Sequence, residues 1–239
     1  YRAVLKDPLF RSGILRVARF FLLQVPPMLG LALFFALALD SGRLRFAKFI
    51  RIVVFLPYAV PSVVAAVMWS YLYGPKPAPF AQMFSGVGLR APDFLGSKLI
   101  LGSFANIVSW EYIGYNMIIL YAALRAVPRE LYEAAAVDGA SQWRIARSIK
   151  IPAIMPAIVL TLIFSVIGSF QLFTEPQILY AKFPNIITAA YTPNLYAFNL
   201  AFQYQQLEYA AAVSFMLGFV ILVVSYTTLF SINRRARRA

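Results

Sequence analysis

The sequence contains no cysteine and no histidine. Those two absences exclude disulfides, histidine acid–base catalysis and every His/Cys metal site. Acids are scarce as well, nine Asp and Glu against 22 Lys and Arg. No Gly-x-x-x-x-Gly-Lys-[Ser/Thr] loop occurs; Gly96-Ser97-Lys98 has neither the preceding glycine nor the spacing. The chain therefore cannot cradle ATP by that route. With no Ser/His/Asp or Cys/His set, it has no catalytic residues to nominate and no metal site.

Charge of either sign is also low, at 13% of residues, while 61% are hydrophobic and the mean hydropathy is +0.72. A soluble domain is about 45–50% apolar and about a quarter charged. A soluble fold could not hide this much apolar surface, so lipid is the solvent for much of it. In that setting the basic excess reflects cytoplasmic loops, not nucleic acid.

Five uncharged apolar runs are long enough to cross a hydrocarbon core as helices: Phe20–Leu39, Ile52–Tyr73, Leu99–Ala123, Ala153–Phe173 and Tyr209–Phe230. They lack the polar alternation of a barrel. An all-α polytopic membrane protein follows, with residues 1–239 forming one transmembrane domain. Prolines 26, 27, 57, 61 and 156 fall within or beside these runs and predict kinks.

Bases in the connections set the orientation. Thirteen lie on one side, in Asp40–Arg51, Arg125–Ile151 and the tail from Ser231, and four on the other: Lys76, Arg90, Lys98 and Lys182. The richer side is cytoplasmic. Residues 1–13 are then outside despite Arg2, Lys6 and Arg11, which predicts an earlier helix, now missing, that crossed first. Arg16 and Arg19 are expected to snorkel toward the outer headgroups.

One connection is unlike a linker. Residues 125–152 contain "ELYEAAAVDGASQWRIARSIKIP", with three acids and three bases between greasy spans. Pro128 suits the first helical position and Glu130 the first turn. Gly139 is a natural left-handed stop, Ser141 a cap for a second helix to about Lys150, and Pro152 its end. Ala134, Ala135 and Ala136 permit close backbone approach, Trp143, Ile145 and Ile149 add apolar contact, and Arg144 and Arg147 share a face. Most connections are about 4–6 residues long. A long one with two capped helices is either a solvated connection or, more in keeping with this surface, a ligand for a groove.

Glu133-Ala134-Ala135, Asp138-Gly139, Ile149, Ile151-Pro152 and Pro156 resemble the EAA motif of inner-membrane permeases in binding-protein-dependent ABC importers. "FLPYAVPSVVAAVMWSYLY" is similar to that family's third helix, and "WEYIGYNMIILYAALRAVPRELYEAAAVDGA" to its carbohydrate branch, typified by the maltose permease. The resemblance covers nearly the whole chain. It departs at the family's first helix, which has no counterpart here, and at Gly-Gly-Pro, replaced by Ala181-Lys182-Phe183-Pro184. It implies the type I importer fold, with the insert as a coupling helix. Glu130, Glu133, Ala134, Ala135, Asp138, Gly139, Ala140, Trp143 and Arg144 would then dock on a cytoplasmic ATPase subunit. The implied partners are a second permease subunit, two ATPase subunits holding ATP and Mg, and an extracytoplasmic solute-binding protein. The implied location is the bacterial inner membrane, with insert and C-terminus cytoplasmic.

Leu99–Ala123 is rich in polar groups, with Glu111 near its centre. An acid facing lipid there costs about 2.5–3.5 kcal/mol, so Glu111 should face the bundle or a wet cavity. Singly, such residues serve as interhelical glue or an aromatic belt. The resemblance implies that Trp110, Tyr115, Ser165 and Ser169 contact a sugar or polyol, and an amino sugar or glycerol phosphate stays open; it assigns Glu111 no role. The alternatives are an ATP-independent secondary transporter or channel, which usually shows two related halves, and a passive scaffold, which leaves the insert unexplained.

Overall fold

A computed structural model describes residues 1–42, 44–75 and 77–236. Arg43, Lys76, Arg237 and Arg238, counted above among the loop bases, lie outside the described residues. Among the described residues all regular structure is helical. After a short α1 (Arg2–Lys6), α2 runs unbroken over 33 residues, Pro8–Asp40, through Pro26 and Pro27. It starts twelve residues before the apolar run because Asp7 caps it, accepting the Leu9 N–H at 2.8 Å, and Pro8 sits in the first turn. The other long helices are α6 (Ile100–Arg125), α10 (Met155–Phe170) and α13 (Leu207–Ala236). Four stretches are long and apolar enough to span: Pro8–Asp40, Ile100–Arg125, Met155–Tyr180 and Leu207–Ile232.

The expected span Ile52–Tyr73 is not one kinked helix. It consists of α3 (Ala47–Phe55), a 3₁₀ turn (Leu56–Ala59) and α4 (Ser62–Leu72), bent by 99°. Two prolines cause the break together. Pro61 forces Val60 into the extended region, with ψ 127°, and Pro57 opens the 3₁₀ turn. Counted as one bent span, this pair brings the total to five.

α2 lies along α6, α3 and the 3₁₀ turn cover the middle and C-terminal half of α6, and α10 packs on α2, α6 and α13. Gly114 allows this closeness: a β-carbon there would sit 2.1 Å from the Val54 carbonyl oxygen and 2.6 Å from Phe55 Cα. Shorter helices complete the bundle: α5 (Pro79–Gly86), α11 (Thr174–Tyr180) and α12 (Pro193–Phe202). Asp7 Oδ2 accepts hydroxyl hydrogen bonds from Tyr196 and Tyr209, each 2.8 Å, tying the start of α2 to α12 and α13. Arg16 does not snorkel. Its guanidinium donates to the Tyr191 carbonyl at 2.6 Å and stacks 4.3 Å from that ring's centre, so a neighbouring loop residue, not open surface, holds its charge.

Candidate functional site

The insert folds outside the candidate spans as α7 (Glu130–Val137) and α8 (Gln142–Ile145). α7 begins two residues after Pro128, with Glu130 and Glu133 in its first turn. Its end is a Schellman arrangement: Gly139, at φ +79°, donates to the Ala136 carbonyl at 3.0 Å, and Ala140 to the Ala135 carbonyl at 2.9 Å. Ser141 Oγ then caps α8 by accepting the Arg144 N–H at 3.3 Å.

The second insert helix does not stop before Pro152. It widens into a π turn, Ala146–Lys150, and continues as α9 (Ile151–Ala153) into the break at Ile154 that precedes α10. The Ile151 N–H reaches back five residues to the Ala146 carbonyl. This wider register accommodates a proline that has no N–H to give. The insert and α10 therefore form one nearly continuous path.

No residue of α7 is buried. Glu130, Glu133, Ala134, Asp138, Gly139, Trp143 and Arg144 are exposed, and Ala135 and Ala140 half-buried. Val137 is 89% exposed and Trp143 70%. Inward, the insert is pinned to the end of α2: buried Lys150 forms an ion pair with Asp40 and stands 4.6 Å from the Tyr132 ring centre. Burial pushes the Tyr132 phenol above its ordinary pKa, with Asp40 adding to the shift.

A second feature lies inside the bundle, a cavity of about 190 Å³ walled by α2, α6 and the corner between α10 and α11. Glu111, Tyr115, Ser165 and Ser169 all line it. Spacing brings the serines to one face of α10. Ser169 Oγ lies 3.2 Å from Gln24 Oε1 and 2.7 Å from the Ser165 carbonyl, and Ser165 Oγ donates to the Thr161 carbonyl at 2.8 Å. Tyr115 stacks on Tyr58 with centroids 4.7 Å apart, and Tyr112 meets both rings edge-on. Glu111 is 4% exposed, and its Oε1 has no hydrogen-bond partner.

Trp110 stands apart from the other four. It lines a different groove, with Pro27, Leu31, Asn106 and Ile113, and meets Trp69 of α4 edge-on at 5.8 Å. One residue along a helix is about 100° around it, so Trp110 and Glu111 cannot share a face. Sequence spacing did not single out Gln24 or Glu175, which also line the cavity. A polar residue midway along an apolar run and an acid beside Pro176 were the available signals.

Residues 28–238 match the family described as "Binding-protein-dependent transport system inner membrane component". The lactose transport system permease protein LacF of Rhizobium radiobacter is 29% identical over 96% of this chain and 78% of its own length. The diacetylchitobiose uptake system permease protein NgcF of Streptomyces coelicolor is 31% identical over 98% and 69%. In fold, the chain is similar to a crystal structure of a bacterial ABC transporter that imports the acidic polysaccharide alginate. The TM-score is 0.81 at 22% identity, over 99% of this chain and 82% of that one.

Proposed function

The chain belongs to the binding-protein-dependent transport system inner membrane components, the multi-pass translocation subunits of ABC importers, and we propose that its solute is a sugar or related polyol. Two similar permeases are named for lactose and diacetylchitobiose. The cavity's tyrosines and hydroxyls suit pyranose faces and hydroxyls in the same way. Family membership decides against the ATP-independent transporter weighed from sequence.

The coupling part of the proposal is carried by one observation: a capped, two-helix insert outside the spans exposes Val137 and Trp143. Exposed aromatics on a rigid helix pair favour docking into a groove. The chain has no nucleotide loop, so two cytoplasmic ATPase subunits supply ATP and Mg. A second permease subunit completes the path, and an extracytoplasmic binding protein delivers the solute. The insert and C-terminus face the cytoplasm, as the loop bases favour.

Mechanically, ATPase closure pushes α7 and α8. The π turn and α9 pass that push to α10, which carries Ser165 and Ser169 on the cavity wall. Glu111 and Tyr115 face them from α6, and Trp110 acts from the neighbouring groove by holding α4. Purification through a tag on this chain should recover the ATPase and second permease, and the complex in proteoliposomes should need both ATP and loaded binding protein for uptake. Uptake by this chain alone, without ATP, overturns the proposal.

A further inference from the structure

The cavity contains two carboxylates, and no lysine or arginine lines it among the described residues. Glu111 comes from the middle of α6 and Glu175 from the first turn of α11. They are 4% and 5% exposed. Glu111 Oε1 is buried with no hydrogen-bond donor in reach. Buried polar atoms are nearly always paired, and leaving a carboxylate oxygen unpaired is costly. A hydroxyl-bearing occupant of the cavity would supply the donor that this oxygen lacks.

The neighbouring groups narrow that occupant. Gln24, Asn116, Ser165 and Ser169 line the same wall, with Tyr112 and Tyr115 beside Glu111. A carboxylate accepts two hydrogen bonds side by side, which matches two adjacent hydroxyls of a sugar ring. An anionic sugar adds a charged acceptor beside its hydroxyl donors. It would bring a charge to two acidic groups with no lysine or arginine in the described lining to offset it, and a buried charge without a partner is costly.

We propose that Glu111 and Glu175 act as a charge filter in the solute path: they bind a neutral or amine-bearing polyhydroxyl solute through its hydroxyl donors and reject uronates and phosphorylated sugars. This inference rests on reading the cavity as part of the path. A long cation from the second permease subunit is the competing source of a donor. It would have to fill the polar cavity to reach acids this deep, and it would remove the filter by neutralising them.

The test uses the intact complex, purified through this chain and placed in nanodiscs without binding protein. Saturation-transfer NMR compares millimolar cellobiose with its uronate counterpart, glucuronosyl-glucose, at neutral pH. The wild-type complex should favour the neutral disaccharide by about tenfold or more, the scale of a charge bound without a partner. Glu111→Gln with Glu175→Gln should bring the ratio close to one, and Glu111→Gln alone should give an intermediate value if the double variant fails to assemble. Equal wild-type signals, no signal from cellobiose, or an unchanged ratio in the assembled variants would overturn the filter. ATP-driven uptake by the same complex reports separately on the importer proposal, which survives if only the ratio fails.

Discussion

Gly114 and Asp7 each hold together elements far apart in the chain. At Gly114 the backbone of α3 occupies the place a side chain would take. Alanine there must push Val54 and Phe55 outward, and overpacking of this kind costs about 1–3 kcal/mol. Gly114→Ala should therefore lower the thermal stability of the detergent-solubilised protein and loosen α3 first, seen as faster hydrogen exchange over Ala47–Phe55. Exchange that rises evenly over all helices would contradict this. At Asp7, burial raises the pKa, but hydroxyls of Tyr196 and Tyr209 and amides of Leu9 and Phe10 outweigh it, so the net shift is downward. A lowered folded pKa means that the stabilisation is present above the ordinary carboxylate value of about 3.9 and fades as pH falls through the folded value. Replacing an N-cap Asp by Ala costs about 1 kcal/mol. Asp7→Ala should show that deficit at pH 7, and the gap to wild type should close below about pH 4. A gap independent of pH would locate the loss in packing instead of charge.

Elements are governed by two kinds of information, and only one is local. The Schellman end of α7 and the cap on α8 are written in Asp138-Gly139-Ala140-Ser141 itself, so the insert could be laid out from sequence. Long apolar runs were equally legible, because lipid demands unbroken helices. Pro57 and Pro61 announced a defect but not its size, since the 99° bend depends on α3 seating against Gly114, some sixty residues on. The pin between Asp40 and Lys150 is 110 residues apart in sequence and left no trace there. Its side chains are only 6% and 9% exposed, so removing either partner strands a buried charge. That costs about 3–5 kcal/mol, whereas removing both together is often nearly neutral. Asp40→Asn and Lys150→Met should each destabilise the protein, and the double variant should recover part of the loss, with a coupling of about 1–3 kcal/mol by denaturation. Because α2 also carries Gln24 on the cavity wall, the double variant should hydrolyse ATP in the assembled complex yet import less solute per ATP. Strictly additive losses, with transport per ATP unchanged, would make the pin a local brace only.

At the scale of the whole molecule, exposure has two meanings. Large apolar side chains such as Leu22, Phe34, Phe215 and Leu222 are exposed along candidate spans, where lipid is expected to cover them. Leu131, Val137 and Trp143 are exposed on the insert, outside the candidate spans. Sequence could separate these groups because charge and capping mark the insert. It could not say which face of α6 looks into the bundle: Trp110 and Tyr115 were known to point about 140° apart, yet only packing decides that Tyr115 meets the cavity and Trp110 meets Trp69. An apolar surface outside the spans is expected to take a protein cover, and Trp143 is its largest ring. Buried interface tryptophans commonly contribute more than about 2 kcal/mol, or roughly thirtyfold in affinity. Trp143→Ala and Glu133→Lys should accordingly leave the spans folded, by unchanged helical content and elution volume, while the co-purified ATPase falls by about that factor. Gly139→Val tests the frame that presents these residues. No neighbouring atom lies within 4 Å of a β-carbon there, so its penalty comes only from the left-handed backbone at φ +79°, about 1–2 kcal/mol. It should re-aim α8 and weaken docking less than the loss of Trp143. Wild-type co-purification and transport in all three variants would mean that the exposed insert surface binds something other than the ATPase.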